Sequence, residues 1–180
     1  MCDVLPESLK TICDPDAPAP PIAGAYWVVR GRFMAGPHPG GFSVSHMEAD
    51  LIRLVDLGIT RFLDLTEPGE ASDYRDVLGG KARHIRFPIR DFDTPDRRQM
   101  VEILDAIDGA LARGHALYLH CYAGLGRTGT IVGCYLVRHG LDGTEALRAL
   151  RELRADSAFG DSASPQTEAQ HRMVRTWSER

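Results

Sequence analysis

Residues 117–130, with the sequence LYLHCYAGLGRTGT, constrain the fold more than any other part of the chain. The apolar run that ends at Cys121 predicts a buried strand, and the spacing of apolar residues in 131–137 predicts a helix. Glycines between these two elements allow a tight turn whose backbone N–H groups converge at the positive end of the helix. This stretch therefore predicts an anion-binding loop between a strand and a helix.

Two side chains of this loop have the chemistry to act on a bound anion. The backbone amides, the helix dipole and the guanidinium of Arg127 should all stabilise the thiolate form of Cys121. The planar guanidinium also matches two oxygens of a phosphate group. Buried core cysteines are common, but that interpretation leaves the glycines, Arg127 and Thr128 unexplained. The combination predicts a thiolate that attacks a phosphorus atom.

The length and composition indicate one domain without a strongly charged surface. The chain has 180 residues, of which 43% are hydrophobic, and its formal net charge is -4. This charge does not favour binding to nucleic acid or to an acidic membrane. The four cysteines form no C-x-x-C pair and no zinc-type spacing with histidine, so neither a metal site nor a disulfide is expected. Because no stretch is typical of a signal peptide or a membrane span, the expected location is the cytoplasm.

Hydrophobic periodicity in the rest of the chain predicts strands that alternate with helices. Residues 1–24, rich in proline and alanine, are expected to form an N-terminal arm, and residues 25–180 a single domain. After a hairpin within 26–35, the predicted strands cover 59–65, 83–87 and 115–120, and the predicted helices cover 44–57, 72–78, 95–113, 127–139, 143–155 and 165–177. Ser43 or Ser45 is the expected N-cap of the first of these helices, and Thr94 that of the third.

This alternation predicts an α/β fold with a central, mostly parallel sheet flanked by helices. The anion-binding loop lies between the last core strand and a helix, and the C-terminal part of the domain is helical. Ligands of such sheets bind at the carboxyl ends of the strands. The loops at 66–70, 88–95 and 121–127 are therefore expected to converge on one pocket.

Residues 124–129 also match the G-x-G-x-x-G fingerprint of dinucleotide-binding proteins. That fingerprint belongs at the first strand of its fold, and its helix leads into another strand. Here the motif follows the last predicted strand, and only helices come after it. A Walker A loop is also excluded, because no Lys-Ser or Lys-Thr pair follows the glycines.

The segment 120–129 resembles the H-C-x-x-G-x-x-R-[S/T]-G signature of the cysteine-dependent protein tyrosine and dual-specificity phosphatases, and every position matches. Segments 62–66, 88–92 and 165–170 look like the family's conserved strand, general-acid loop and C-terminal glutamine helix. The resemblance covers about residues 30–177. It implies hydrolysis of phosphate monoesters through a phosphocysteine intermediate, without a cofactor or a metal ion.

The resemblance also implies roles for residues of the phosphate loop. Cys121 would be the nucleophile, Thr128 would assist the departure of its thiolate, and His120 would shape the loop. The substrate phosphate would be held by Arg127 and by the backbone amides of Tyr122, Ala123, Gly124, Leu125, Gly126 and Arg127.

Residues outside the loop would complete the reaction. Asp91 is the expected general acid, and Asp93 is its rival; both could instead be ordinary loop carboxylates that cap a helix. Gln170 matches a glutamine that orients the hydrolytic water in relatives. A solvent-facing helix residue would explain Gln170 equally well.

A phosphorylated protein or peptide is the expected partner, with phosphotyrosine ahead of phosphoserine and phosphothreonine. The interior of the phosphate loop contains no lysine, which makes a phosphoinositide a less expected substrate. The chain is expected to act as a monomer, without a nucleic-acid or membrane partner. Two alternatives stay open: a phosphate-recognition module without catalysis, and a phosphatase for a non-protein phosphate.

Overall fold

The computed structural model describes residues 2–41 and 44–179. Within them, strands and helices alternate through the middle of the chain. The strands are β1 Tyr26–Val29, β2 Phe33–Gly36, β3 Ile59–Asp64, β4 Arg83–Arg86 and β5 Ala116–His120. The helices are α1 Glu7–Lys10, α2 Val44–Asp56, α3 Arg97–Ala112, α4 Gly126–Arg138, α5 Gly143–Arg154 and α6 Glu168–Thr176.

The strands form one sheet in the order β1-β2-β5-β3-β4. Only β1 is antiparallel to its neighbour, which gives the mostly parallel sheet that the sequence predicted. At the carboxyl end of the central strand β5, His120 lies level with Gly36 of β2 and Asp64 of β3. The segments that follow these three strands therefore start from the same edge of the sheet.

Helices cover both faces of the sheet. Alternate residues of β5 serve the two cores: Leu117 and Leu119 pack on one side, and Ala116 and Tyr118 on the other. The first core is completed by apolar residues of α3, α4, α5 and α6, and the second by residues of α2. This arrangement confirms the predicted single α/β domain.

The N-terminal arm lies against the domain. Leu5 and Leu9 are buried in the larger core, and the indole N–H of Trp27 donates a hydrogen bond to the carbonyl of Pro18 at 2.8 Å. The prediction that the cysteines form no disulfide is wrong, because Cys2 and Cys13 are bonded to each other. The short helix α1 turns the chain back and brings their Cα atoms to 6.4 Å, a proximity that no spacing motif signals.

Three predicted helices differ in extent. Residues 72–78 form no helix: 72–74 are irregular and a turn begins at 75. Tyr74 and Leu78 are spaced like a helical pair, but both are buried in the second core. Helix α3 begins two residues later than predicted, because Asp96 is its N-cap and accepts a hydrogen bond from the Gln99 amide at 2.7 Å. Helix α6 begins at Glu168 rather than 165.

The predicted N-cap of α2, Ser43 or Ser45, cannot be compared with the structure, because Ser43 and the side chain of Ser45 lie outside the described residues. Among the helices of the described chain, none has the length and apolar character needed to cross a bilayer.

The Cys2–Cys13 bond should stabilise the folded protein by restricting the unfolded chain. For a loop of this size the chain-entropy model gives about 3 kcal/mol. We expect Cys13→Ser to lower the free energy of unfolding by up to that amount, measured by urea denaturation without reductant. Dithiothreitol should reproduce the effect in the wild type and change nothing in a Cys2→Ser/Cys13→Ser double variant. Identical unfolding curves of the wild type with and without reductant would contradict the expectation.

Candidate active site

The predicted anion-binding loop connects β5 to α4, and Cys121 is its first residue. Cys121 is 2% exposed, and the helix starts at Gly126, so the intervening backbone curls within a few residues. Gly124 makes this possible with a φ of +74°, a conformation that suits glycine. A Cβ at this position would lie only 2.3 Å from the carbonyl carbon of Gly36, at the end of β2. The loop is thus packed backbone against backbone on the sheet.

Arg127 occupies the first turn of α4, and its side chain is 1% exposed. Nη1 donates to the carbonyl of Ile89 at 2.9 Å and to Oε2 of Glu70 at 2.7 Å. Nη2 donates to Oε1 of Glu70 and lies 2.9 Å from Oδ1 of Asp91. Although burial opposes the charged form, these carboxylates and Cys121 raise the pKa of the guanidinium. Arg127 is therefore a fixed cation at the centre of the site.

Glu70 is the residue of this site that the sequence reasoning missed. Its carboxylate meets the Arg127 guanidinium with two hydrogen bonds and also accepts one from the Glu67 amide at 2.9 Å. Burial tends to raise the pKa of Glu70, but the hydrogen bond from Arg127 holds it below its ordinary value. The available signal was its position in the loop after β3, at the carboxyl edge of the sheet.

The two candidate acids occupy different places. Asp91 reaches Arg127 and is 53% exposed at the side chain. The carboxylate of Asp93 turns back onto its own loop and accepts a hydrogen bond from the Thr94 amide at 2.8 Å. The structure thus brings Asp91, and not the side chain of Asp93, to the arginine.

His120 supports the loop from below. Its ring is fully buried, with Nδ1 3.1 Å from the Cys121 carbonyl and Nε2 in contact with the Tyr74 hydroxyl. Burial lowers the pKa of His120 to about 4, against the opposing charge of Asp64. At neutral pH the ring is therefore neutral: Nδ1 donates to the carbonyl, and Nε2 accepts from Tyr74.

Asp64 fixes the start of the loop after β3. This buried carboxylate accepts hydrogen bonds from the amide and hydroxyl of Thr66, at 2.8 and 2.6 Å. It also contacts His84 at 3.0 Å and Arg86 at 2.7 Å, both on β4. Burial raises its pKa, but hydrogen bonds from His84 and Thr66 more than offset this and hold it far below its ordinary range.

Gln170 is fully buried, so the alternative of a solvent-facing helix residue is wrong. Its Oε1 accepts hydrogen bonds from the amides of Gln166 and Thr167, at 3.0 and 3.1 Å. Its Nε2 donates to the carbonyl of Asp93 at 3.0 Å. Gln170 therefore joins the beginning of α6 to the loop that carries Asp91.

Two of the buried polar atoms that have no hydrogen-bond partner among the described residues belong to this site: Nε of Arg127 and Oγ1 of Thr128. Unpaired polar groups are costly inside a protein, and both belong to the first turn of α4. Both atoms are hydrogen-bond donors that the site can offer to an anion. In the described part of the chain, histidine, cysteine and carboxylate side chains form no cluster suited to a metal ion.

Comparison with known proteins agrees with this geometry. A family model described as PTP-SAK, Swiss Army Knife protein, DSP-PTPase phosphatase domain, matches residues 23–177. The mouse dual specificity protein phosphatase CDC14B is 31% identical over 143 residues, which cover 74% of this chain. The Arabidopsis thaliana phosphatidylglycerophosphate phosphatase PTPMT1 is 32% identical over 96 residues, or 51% of this chain.

The fold matches solved phosphatase structures. The crystal structure of Tk-PTP in its active form superposes with a TM-score of 0.70 at 25% identity, over 84% of this chain and 94% of that one. The two curated relatives are much longer, since the matched chain spans 28% of the length of each.

Gly124→Ala should destabilise the protein by more than the conformational cost of alanine at a positive φ, because the added Cβ would also clash with Gly36. Gly80 is a matched control, since its φ is +77° but no atom lies within 4 Å of a Cβ there. For Gly80→Ala we expect a loss of about 1 kcal/mol, or roughly 2–4 °C in Tm. For Gly124→Ala we expect a larger loss, and we expect orthovanadate to raise the Tm of the unmodified chain but not that of this variant. Equal behaviour of the two variants in thermal unfolding with and without vanadate would contradict the tight packing of the loop.

Proposed function

The chain belongs to the PTP-SAK family of DSP-PTPase phosphatase domains, and on that premise we propose that it hydrolyses phosphate monoesters of proteins. Phosphotyrosine is the proposed main substrate, with phosphoserine and phosphothreonine as further substrates. The observation that supports the proposal is the contact of Asp91 with Arg127: the residue proposed as the acid lies beside the residue proposed to bind the phosphate. A module that only binds phosphate has no need of this acid.

Cys121 is the proposed nucleophile. Its thiolate attacks phosphorus, the bond from phosphorus to the ester oxygen breaks, and a phosphocysteine forms. Asp91 donates its proton to the departing oxygen, so that the product leaves as a neutral hydroxyl. Water then attacks the phosphocysteine and returns a proton to the Asp91 carboxylate, the P–S bond breaks, and inorganic phosphate is released. Thr128 Oγ1 donates a hydrogen bond to the departing thiolate.

Arg127 is proposed to bind two phosphate oxygens through one edge of its guanidinium. Glu70 holds Nη1 and Nη2, whereas Nε has no partner among the described residues. The edge formed by Nε and Nη2 is therefore the one that meets the phosphate. The amides of residues 122–127 provide further donors, so that charge in the transition state meets fixed hydrogen-bond donors.

Gln170 is proposed to position the acid loop. Among the described residues, its side chain hydrogen-bonds to the amides of Gln166 and Thr167, just before α6, and to the carbonyl of Asp93. The water-orienting role implied by the family resemblance needs Nε2 to leave that carbonyl during the second step. The observed hydrogen bonds therefore support the positioning role of Gln170 more directly than the water-orienting role.

A second substrate class follows from one relative. The Arabidopsis thaliana protein PTPMT1 is named a phosphatidylglycerophosphate phosphatase. The interior of the phosphate loop does not favour a lipid phosphate, because it contains no lysine that could bind a polyanionic headgroup. We therefore place protein substrates first and lipid phosphates second.

We propose that the protein acts as a monomer. A monomer is sufficient for the mechanism, because every proposed residue belongs to one chain. The Cys2–Cys13 disulfide counts against the cytoplasmic location, since disulfides persist mainly in oxidising compartments.

Cys121→Ser should abolish hydrolysis of p-nitrophenyl phosphate and retain binding of a phosphate ester, because the hydroxyl is a far weaker nucleophile in the same cradle. Turnover by the purified protein and binding of a phosphotyrosine peptide by calorimetry measure the two effects. Hydrolysis that survives in the variant would contradict the role of Cys121. A wild type that binds the peptide without turning over any ester would favour the recognition module instead.

Asp91→Asn should lower kcat by about 10²-fold, the usual size of a general-acid contribution. Asp93→Asn is the matched control, because the amide oxygen can still accept the hydrogen bond from Thr94. We expect that control to keep nearly full activity. If Asp93→Asn causes the larger loss in the steady-state kinetics of p-nitrophenyl phosphate, the assignment of the acid is wrong.

A further inference from the structure

Helix α4 begins without the side-chain cap that three other helices have. Asp96, Asp142 and Thr167 each accept an amide hydrogen bond at the start of α3, α5 and α6. The corresponding residue of α4 is Leu125, whose side chain has no atom that could accept one. A capping side chain would occupy amides of the first turn, the groups that an anion at this helix end would bind. The start of α4 is therefore fixed by other contacts.

Ser164 supplies such a contact from a distant part of the chain. Its Oγ donates a hydrogen bond to the carbonyl of Leu125 at 2.8 Å, and the same carbonyl accepts one from the Gly129 amide at 3.1 Å. Ser164 lies 39 residues from Leu125, in the connection between α5 and α6. A Cβ on Gly129 would overlap with the Ser164 hydroxyl, so this hydroxyl is seated directly against the beginning of α4.

The carbonyl that Ser164 holds determines where the next amide points. In a trans peptide unit the C=O and N–H bonds point in opposite directions, and the unit that joins Leu125 to Gly126 is trans. The Leu125 carbonyl points along α4, towards the Gly129 amide. The Gly126 N–H therefore points out of the helix at its N-terminal end, where the helix dipole attracts an anion.

Two other carbonyls of the phosphate loop are held by donors outside it. The ring of His120 has Nδ1 at 3.1 Å from the Cys121 carbonyl, and the His38 amide donates to the Tyr122 carbonyl at 3.0 Å. The same peptide geometry turns the amide that follows each carbonyl to the opposite side. Ser164 thus gives the end of the loop the kind of support that these two contacts give its beginning.

We propose that Ser164 is a positioning residue of the phosphate site: through the Leu125 carbonyl, it holds the Gly126 amide towards the bound phosphate. The proposal rests on the proposed function, because it assigns this amide to the phosphate that the site is proposed to bind. Ser164 acts through the loop and not by contact with the substrate. Its contribution is the alignment of the amide, on which the strength of a hydrogen bond depends.

The test measures binding of tungstate, a tetrahedral oxyanion that is not turned over, by calorimetry. We expect Ser164→Ala to weaken tungstate binding about five-fold, the equivalent of one hydrogen bond. The value of kcat/KM for p-nitrophenyl phosphate should fall by at least as much. In a nitrogen–proton correlation spectrum, tungstate should shift the Gly126 amide resonance of the unmodified chain and shift it less in the variant.

Ser157→Ala is the matched control. Ser157 lies in the same connection between α5 and α6, and its buried hydroxyl has no hydrogen-bond partner among the described residues. We expect this control to leave tungstate affinity and kcat/KM unchanged. Thermal unfolding of both variants shows whether either substitution changes stability.

Several outcomes would overturn the proposal. Unchanged tungstate affinity in Ser164→Ala would do so even if its Tm falls, because a purely structural hydrogen bond affects stability alone. An equal loss of affinity in Ser157→Ala would assign the effect to the whole connection. A Gly126 resonance that tungstate does not shift in the unmodified chain would show that this amide does not face the anion.

One outcome separates the positioning role from the proposed hydrolysis. The unmodified chain could bind tungstate at the Gly126 amide, with an affinity that depends on Ser164, and turn over no ester. In that case the positioning role stands and the proposed hydrolysis fails.

Discussion

The site depends on the burial of one cation. Arg127 is 1% exposed, and a charge removed from water is tolerated only when charged and hydrogen-bonding partners surround it. Those partners come from other loops: Glu70 follows β3, and Ile89 and Asp91 follow β4. Since Arg127 itself follows β5, the interactions of this guanidinium draw the carboxyl ends of three parallel strands into one surface.

A second buried charge, the carboxylate of Asp64, lies at the same edge of the sheet. Asp64 ends β3 level with His120, and its carboxylate binds His84 and Arg86 of the neighbouring strand. His120 Nδ1 lies 3.9 Å from that carboxylate and 3.1 Å from the carbonyl of Cys121. The phosphate loop therefore has an ionic network on each side, one at Asp64 beneath it and one at Arg127. Because both are desolvated, a change in either should alter the shape of the loop.

Local patterns were sufficient for the strands, most helices and the loop, because Cys121 and Arg127 lie six residues apart on one strand–turn–helix unit. Contacts between distant segments were not predictable in this way. Glu70 is 57 residues from its partner Arg127, and a loop carboxylate carries no periodic signal. The failed helix at 72–78 has a related cause: Tyr74 and Leu78 are apolar for tertiary burial, which produces the same spacing as a helical face. The resemblance supplied Gln170 and favoured Asp91 over its rival Asp93, and the side-chain contacts add that Asp91 lies at Arg127 while Asp93 bonds to its own loop.

The contact between Asp91 and Arg127 sets a condition on substrate binding. A phosphate that takes Nε and Nη2 must replace one carboxylate at Nη2, where Glu70 and Asp91 both lie. Glu70 is held more firmly, because it also binds Nη1 and the Glu67 amide. Asp91 is half exposed, and its other hydrogen bond comes from the amide of its own neighbour, Phe92. In the proposed mechanism the phosphate therefore displaces Asp91, and the released carboxylate takes up a proton from water before it protonates the ester oxygen. Gln170 holds the loop that carries Asp91 in place during this exchange.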